Sequence, residues 1–151
     1  MTDTVSNTEP KAKTKSVDLA SLDLTAAAEK GFDLELLHPV TKEPLGTFIS
    51  IVGKDSATFR NHVRKTGNER LRKQAANQRR GAEVEVPTIE KIEADAVELL
   101  AVCTTGWRNL NFRGVELPFS TVNAKVIYTE LPWIREQVDQ AIGDVENFMP
   151  V

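Results

Sequence analysis

The sequence predicts an α+β fold in which an N-terminal β-hairpin is followed by a mainly helical domain of four or five helices. Between Phe32 and Ile51 apolar residues alternate with polar ones, which is typical of strands with one buried face. After Gly53 the apolar residues recur every three or four positions instead, which is the period of amphipathic helices. A length of 151 residues suits one domain with a substantial core.

The predicted organisation is a flexible N-terminal arm over residues 1–20 and a single α+β domain over residues 21–151. The arm is polar and has too few large apolar groups to offset the entropy that is lost on ordering. Within the domain we expect the hairpin at residues 32–52, a basic helix at 55–80 and a C-terminal helical part at 87–149.

The first elements are assigned from their residue patterns. A short helix is predicted over residues 22–30, because three consecutive alanines precede Gly31, and glycine is common just after a helix. Two alternating runs then form the hairpin. Its loop contains two prolines, which disfavour both a helix and a central strand.

The basic helix is predicted to run from Ala57 to about Arg80, with Asp55 or Ser56 as its N-cap and a break near Gly67. Its apolar stripe is thin, so we expect it to be exposed. Between Lys54 and Arg80, nine Lys or Arg stand against two acids, a balance of +7. The candidate partner-binding residues are Arg60, Arg64, Lys65, Arg70, Arg72, Lys73, Arg79 and Arg80.

Three interpretations of this basic stretch are open: a solvated face, a docking site for an acidic protein, and a phosphate-binding site for nucleic acid. Phe59 is the only aromatic residue in the stretch, so it offers no platform on which bases could stack. The chain as a whole is acidic, with a pI near 5.5, which argues against general nucleic-acid binding. Nucleic acid is therefore the least favoured of the three.

In the C-terminal part, Pro87 or Thr88 opens an amphipathic helix that ends before Gly106 and is predicted to be the main core helix. An aromatic loop over residues 107–119 follows it, and this loop is interpreted as a plug for the core, with an exposed binding anchor as the alternative. The apolar stripe of the core helix consists of Ile89, Ile92, Ala96, Leu99 and Cys103, widened by Val97 and Leu100.

Two more helices are predicted after the loop, one capped by Ser120 and one with Pro132 in its first turn. On the last helix, one face carries Ile134, Val138, Ala141 and Ile142. We expect the last three helices to pack around Leu99, Trp107 and Trp133.

Signals of chemistry are weak, and the sequence predicts a protein that is not an enzyme. No spacing of histidine and cysteine suggests a metal site, and no glycine-rich phosphate loop is present. We therefore predict no catalytic residue, no metal and no cofactor. Cys103 lies on an apolar stripe and is predicted to be buried. The carboxylate pairs Glu83/Glu85 and Glu90/Glu93 are interpreted as solvated surface.

Localisation is inferred from three features of the sequence. A single cysteine favours a reducing compartment. No apolar run approaches the roughly 20 residues of a membrane span, and the N-terminus does not resemble a secretory signal. We therefore expect a cytoplasmic protein without a membrane partner.

Several local patterns resemble the tail assembly chaperones of long-tailed bacteriophages. The N-terminal patterns correspond to the hairpin and the start of the following helix, and the C-terminal patterns are more specific. Together they extend from about residue 22 to residue 149. The matching stretches are residues 36–46, 53–56, 105–110, 117–120, 123–124, 132–138 and 147–148.

The resemblance implies a non-catalytic assembly factor that binds the tape measure protein and recruits tail tube subunits around it. It also implies a protein of the host cytoplasm that is absent from the mature virion. The basic middle and acidic C-terminal half would further allow copies of the chain to associate head to tail. The alternatives are a structural head–tail or tail protein of the virion and a small nucleic-acid-binding regulator.

Overall fold

The computed structural model describes residues 16–81, 83 and 86–149. Residues 1–15, most of the predicted arm, lie outside the described part, and residues Leu19–Leu22 form a 3₁₀ turn. The five α-helices are α1 (Leu24–Lys30), α2 (Ala57–Arg79), α3 (Ile89–Val102), α4 (Thr121–Glu130) and α5 (Pro132–Gly143). The strands are β1 (Phe32–Leu37), β2 (Pro44–Ile51), β3 (Thr104–Arg108), β4 (Asn111–Phe112) and β5 (Val115–Glu116).

The predicted α+β class is confirmed, and the N-terminal hairpin is formed by β1 and β2. Its register is interrupted, since Glu35 lies opposite Phe48 whereas Leu37 lies opposite Pro44. Gly46 occupies this irregularity with a φ of 76°, a conformation that glycine adopts without strain. Its N–H donates to the Glu35 carboxylate at 3.1 Å, which joins the two strands at the irregularity.

The sheet gains a third strand from a distant part of the chain. β3 pairs antiparallel with β2, so the strand order is β1-β2-β3. The segment 107–119, predicted as an aromatic loop, therefore begins inside a strand, and β4 and β5 form a small second sheet within it. The prediction of an irregular loop was wrong here because strand pairing over more than 50 residues leaves no local signal.

The core lies between the sheet and helices α3, α4 and α5, which pack in chain order. Tyr128 is its largest fully buried side chain. Leu99, Trp107 and Trp133, which were predicted to form its centre, are only partly buried at its edge. The four apolar residues predicted on one face of α5, Ile134, Val138, Ala141 and Ile142, are all buried, as expected.

Side chains and proline define the helix starts. Ser56, Thr88 and Ser120 each accept a backbone N–H from the first turn of the helix that follows, and Pro132 occupies the first turn of α5. The first helix begins at Leu24, capped by Asp23, rather than at residue 22. These signals are local, so the sequence predicted most helix starts to within one or two residues.

The apolar stripe predicted for α3 is buried only in part: Val97 and Leu100, which were expected to widen it, lie in the core, whereas most of its central line does not. The buried residues of α3 are Val97, Leu100 and Ala101, whereas Ile89, Ile92 and Ala96 are exposed. Indeed, all residues from 89 to 96 are exposed, because the first half of α3 extends beyond the core. Cys103, at the far end of the predicted stripe, is fully buried as expected.

The helix α2 is continuous from Ala57 to Arg79, without the predicted break at Gly67. At 1.5 Å per residue its 23 residues span about 34 Å. None of the described residues of α2 is buried. The long helix therefore projects from the domain together with the first half of α3.

Candidate protein-docking surface

The start of α2 is held rigidly by three successive backbone bonds to different parts of the chain. The N–H groups of Val52, Gly53 and Lys54 donate to the carbonyl groups of Cys103, Ala28 and Ile142, respectively, at 2.9, 3.1 and 3.0 Å. The base of the helix is thereby tied to the end of α3, to α1 and to α5. Its direction is set by the core, although its body lies outside it.

The first turn of α2 has further anchors. Ser56 is buried, accepts the Phe59 N–H and donates its hydroxyl proton to the Gly53 carbonyl at 2.6 Å. Glu29 of α1 accepts both the backbone N–H and the hydroxyl of Thr58 at 3.1 and 2.8 Å. These bonds, the backbone N–H first, hold the pKa of the Glu29 carboxyl below its ordinary value. A carboxylate at a helix N-terminus also complements the helix dipole.

Beyond its base, α2 lies beside α3 in the opposite direction. His62 Nε2 is 4.0 Å from a carboxylate oxygen of Glu98. Further out, the pKa of Lys91 is raised chiefly by its hydrogen bond to Asp95, and the positive charge of Arg70 on α2 lowers it. Residue numbers thus rise along α2 as they fall along α3, so the two helices form an antiparallel pair.

The eight predicted basic residues are all exposed, but they divide between two sides of the helix. Successive residues advance by about 100° around an α-helix. Lys73 and Arg80 therefore lie within about 20° of the direction in which His62 faces α3, and Arg70 lies about 80° to one side of it. Arg60 lies at the base of α2, where its guanidinium group donates to Thr25 Oγ1 at 3.1 Å. The remaining four lie on the opposite side of that direction, within about 100° of one another, and are called the basic face below: Arg64, Lys65, Arg72 and Arg79.

Among the described residues, no carboxylate lies within ion-pair distance of the basic face. Arg64 makes only a long contact to Asn61 Oδ1, at 3.5 Å. A shallow depression runs along this side of α2. It is lined by Asn61, Arg64, Lys65, Asn68, Glu69 and Arg72. The lining is polar and contains no aromatic ring, so it suits charged groups better than stacked bases.

The charge contrast between the two projecting helices is large. In α2, seven basic residues stand against Glu69, a formal charge of +6 with histidine neutral. In α3, four acidic residues stand against Lys91, a charge of −3. A second acidic surface lies on α5, where Glu136 and Asp139 are exposed. The basic charge of the fold is therefore concentrated on one projecting helix.

The aromatic residues of segment 107–119 pack onto the core, as the favoured interpretation held. Trp107 and Phe119 form an edge-to-face pair with ring centroids 5.0 Å apart. The Trp107 indole N–H donates to the Leu117 carbonyl at 2.8 Å, which satisfies its polar atom. Phe112 and Trp133 also pack against the core cluster. These rings stabilise the domain and leave α2 as the more accessible surface.

The side chains that could take part in chemistry have structural roles in this fold. Burial, with a smaller contribution from the Glu29 charge, raises the pKa of the Cys103 thiol to about 12, so the nucleophilic thiolate is disfavoured. His38 Nδ1 accepts the N–H groups of Val40 and Thr41 and shapes the hairpin loop. In residues 16–81, 83 and 86–149, no three His, Cys, Asp or Glu side chains are grouped to hold a metal ion.

No helix in the described part of the chain combines the length and apolarity that crossing a bilayer requires. Comparison with known proteins finds no matching family model, no matching curated protein and no matching solved structure.

The sequence identified the basic helix but not which of its residues are available. The helix α3 was predicted, but its position beside α2 was not, because that position depends on tertiary packing.

Proposed function

We propose that this protein is a non-catalytic assembly factor that docks an acidic protein partner on the basic face of α2. One observation carries the proposal: a helix about 34 Å long is anchored at its base, and the four exposed cations of its basic face form no ion pair within the described part of the chain. A basic face whose four cations form no ion pair among the described residues gains most from a partner that supplies carboxylates.

The resemblance described above narrows the proposal to a phage tail assembly chaperone. The partners would then be the tape measure protein and tail tube subunits, bound in the host cytoplasm before the finished particle forms. Exposed ion pairs contribute only about 0–1 kcal/mol each, so docking through them is reversible. Reversible contacts suit a factor that must leave when assembly is complete.

The proposal is tested by charge reversal on the basic face. The variant Arg64→Glu/Lys65→Glu/Arg72→Glu should keep the fold, because all three residues are exposed. Association with the tape measure protein or tail tube subunit of the same genome is followed at low and high salt. We expect slower association in the variant, and a weaker dependence of its rate on salt.

The matched control is Lys30→Glu/Lys42→Glu/Lys125→Glu, which changes the net charge equally at exposed positions outside α2. This control should associate at close to the wild-type rate. Equal slowing of both variants would show a general effect of net charge and contradict docking at the basic face. Unchanged binding by a folded Arg64/Lys65/Arg72 variant would also contradict it.

The same variants separate the alternative functions. Tight, salt-dependent binding of wild-type protein to duplex or single-stranded nucleic acid, lost in the basic-face variant, would favour a regulator. Stoichiometric amounts of the chain in purified virions would favour a structural virion protein. The chaperone proposal predicts neither outcome.

A further inference from the structure

The strand β1 carries backbone hydrogen-bonding groups that its own sheet does not use. The strand order β1-β2-β3 places β1 at one side of the sheet, with β2 as its only neighbouring strand in the described part of the chain. In an antiparallel strand, the N–H and C=O groups of successive residues point alternately to the two sides. Every second residue of β1 therefore directs both groups away from β2, toward the side called the free edge below.

Leu37 identifies which residues face the free edge. Both of its backbone groups bond the side chain of Gln137 instead of β2, and its cross-strand partner Pro44 has no N–H. Counted back by two along β1, Glu35 and Asp33 have the same orientation. The irregularity in the register does not disturb this count, because the step from Glu35 to Leu37 covers two residues of β1 and four of β2, so the extra residues are in β2.

The neighbouring strand provides an independent check. Gly53, just after β2, donates its N–H to Ala28, which precedes β1 in the chain. Counted back by four from Gly53, Ile49 also faces β1, and it lies opposite Leu34. Leu34 therefore uses the side toward β2, and its two neighbours in the chain use the free edge.

Asp33 and Glu35 thus present two N–H donors and two C=O acceptors at the free edge. Among residues 16–81, 83 and 86–149, no hydrogen bond is formed to any of these four groups. Asp33 is exposed and Glu35 is partly exposed. The Gln137 amide, which supplies one donor and one acceptor to Leu37, shows that a peptide-like group fits at the next position of the same edge.

We propose that an extended segment of a partner protein, with cationic and apolar side chains in alternation, adds to the free edge of β1 as a further antiparallel strand. Asp33 and Glu35 would each exchange two backbone bonds with this segment, a mode of recognition in which main-chain bonds supply affinity and side chains supply specificity. The antiparallel direction continues the pattern of the sheet. The Gln137 side chain closes the site at its Leu37 end.

The side chains of β1 define the chemistry of the segment. Asp33 and Glu35 lie on the outer face of the sheet, opposite to the face on which Leu34 packs at the edge of the core. Asp33 pairs with Arg108 at 3.1 Å, whereas Glu35 forms no ion pair within the described part of the chain. A cation opposite Glu35 would supply the missing charge, and an apolar residue suits the position beside Leu34.

The same charges argue against a second copy of this chain as the occupant. Pairing of two β1 strands about a two-fold axis at Leu34 would place Asp33 of each copy opposite Glu35 of the other. Like charges directly opposite each other destabilise strand pairs. The free edge is also a different surface from the basic face of α2, so this proposal stands independently of the docking function assigned to that face.

Amide hydrogen exchange of the full chain tests whether the edge is open. The N–H groups of Asp33 and Glu35 should exchange clearly faster than that of Leu34, which faces β2. Equal protection of all three amides in the protein alone would show that the edge is already covered, and would overturn the proposal. Protection of Asp33 and Glu35 that grows with protein concentration would also overturn it, in favour of pairing between copies.

The probe for the occupant is the peptide acetyl-Lys-Val-Lys-Val-Lys-amide, added at millimolar concentration to isotope-labelled full chain. It should shift the amide resonances of Asp33 and Glu35 and slow their exchange. N-methylation of the central lysine, whose N–H faces β1 in either register, should weaken binding by about fivefold or more, because a bond is lost and the methyl group blocks approach. N-methylation of a valine, whose N–H faces solvent, should leave binding unchanged.

The peptide experiment has three outcomes that would overturn the proposal. The first is a lack of protection at Asp33 and Glu35, and the second is an equal effect of the two methylations. The third is tighter binding of acetyl-Glu-Val-Glu-Val-Glu-amide, which would contradict a cationic occupant.

Two variants at one position separate the backbone from the side chain. Glu35→Pro removes an N–H at the free edge without removing a bond to β2, and edge strands tolerate proline in that orientation. Glu35→Ala loses the same side chain, with its bond to Gly46, but keeps the N–H. Glu35→Pro should abolish the response to the lysine peptide, and Glu35→Ala should retain it. Equal responses of the two variants, with circular dichroism showing both folded, would overturn strand addition at this edge.

Discussion

The side chain of Gln137 in α5 bonds both backbone groups of Leu37 at the end of β1. Its carbonyl oxygen accepts the Leu37 N–H at 2.9 Å, and its amide group donates to the Leu37 carbonyl at 2.8 Å. One glutamine thus pairs with an edge strand as a neighbouring strand would, and it joins segments 100 residues apart. The contact ties the N-terminal hairpin to the last helix.

Replacement of Gln137 by alanine should lower the free energy of unfolding by about 1–2 kcal/mol, since two hydrogen bonds to the edge strand are lost. Gln140→Ala is the control, because Gln140 is exposed on the same helix. Chemical denaturation measures both variants. Equal stability of the two variants would show that the Gln137 contact contributes nothing.

The adjacent leucines of α3 should respond differently to truncation. Leu100 is 3% exposed in the core, whereas Leu99 is only partly buried. Leu100→Ala should destabilise the domain by about 2–5 kcal/mol, the usual effect of a large-to-small change in a core. Leu99→Ala should have a clearly smaller effect. A larger loss at Leu99 in denaturant unfolding would mean that α3 is rotated from its position described above.

Two glycines should respond to alanine with opposite signs. A Cβ atom at Gly53 would lie 2.9 Å from the Phe148 ring and 3.1 Å from the Ala28 Cβ, so Gly53→Ala should destabilise by about 1–3 kcal/mol. A Cβ atom at Gly67, within α2, would meet nothing within 4 Å. Gly67→Ala should therefore stabilise by about 0.5–1 kcal/mol, because alanine favours the helix. Thermal unfolding distinguishes the two directions.

Stability should fall at alkaline pH because two buried acids keep their protons in the folded state. Burial raises the pKa of Cys103 from 9.0 to about 12. Burial also raises the pKa of Tyr128 from 10.0 to about 12, against a hydrogen bond to Thr104 that lowers it. In both cases the unfolded chain loses its proton first. The stabilisation is complete below the unfolded pKa and is lost as the pH rises toward the folded one.

The expected slope is about 1.4 kcal/mol per pH unit for each group that is titrating. In Cys103→Ala the decline should begin near pH 10, where Tyr128 begins to contribute, rather than near pH 9. Denaturant titrations between pH 7 and pH 11 provide the comparison. An unchanged pH profile in Cys103→Ala would contradict the assignment of the lower-pH part to the thiol.

The sequence by itself determined the elements whose signals are local. Period-two alternation located β1 and β2, and the hydroxyls of Ser56, Thr88 and Ser120 marked the starts of three helices because each can accept a neighbouring N–H. The single stripe of α5 predicted its buried face correctly, since that helix has only one apolar side. The basic character of α2 was likewise evident from residue types alone.

Only the tertiary structure decided which apolar side of α3 is buried and where β3 belongs. α3 has apolar residues on two sides, and local periodicity cannot rank Leu99 against Leu100. The choice depends on the position of α4, which packs against α3 and leaves Ile89 and Ile92 exposed. β3 forms only because β2 provides a partner strand from a distant part of the chain. Both outcomes rest on contacts between distant segments, and no local pattern of residues encodes such contacts.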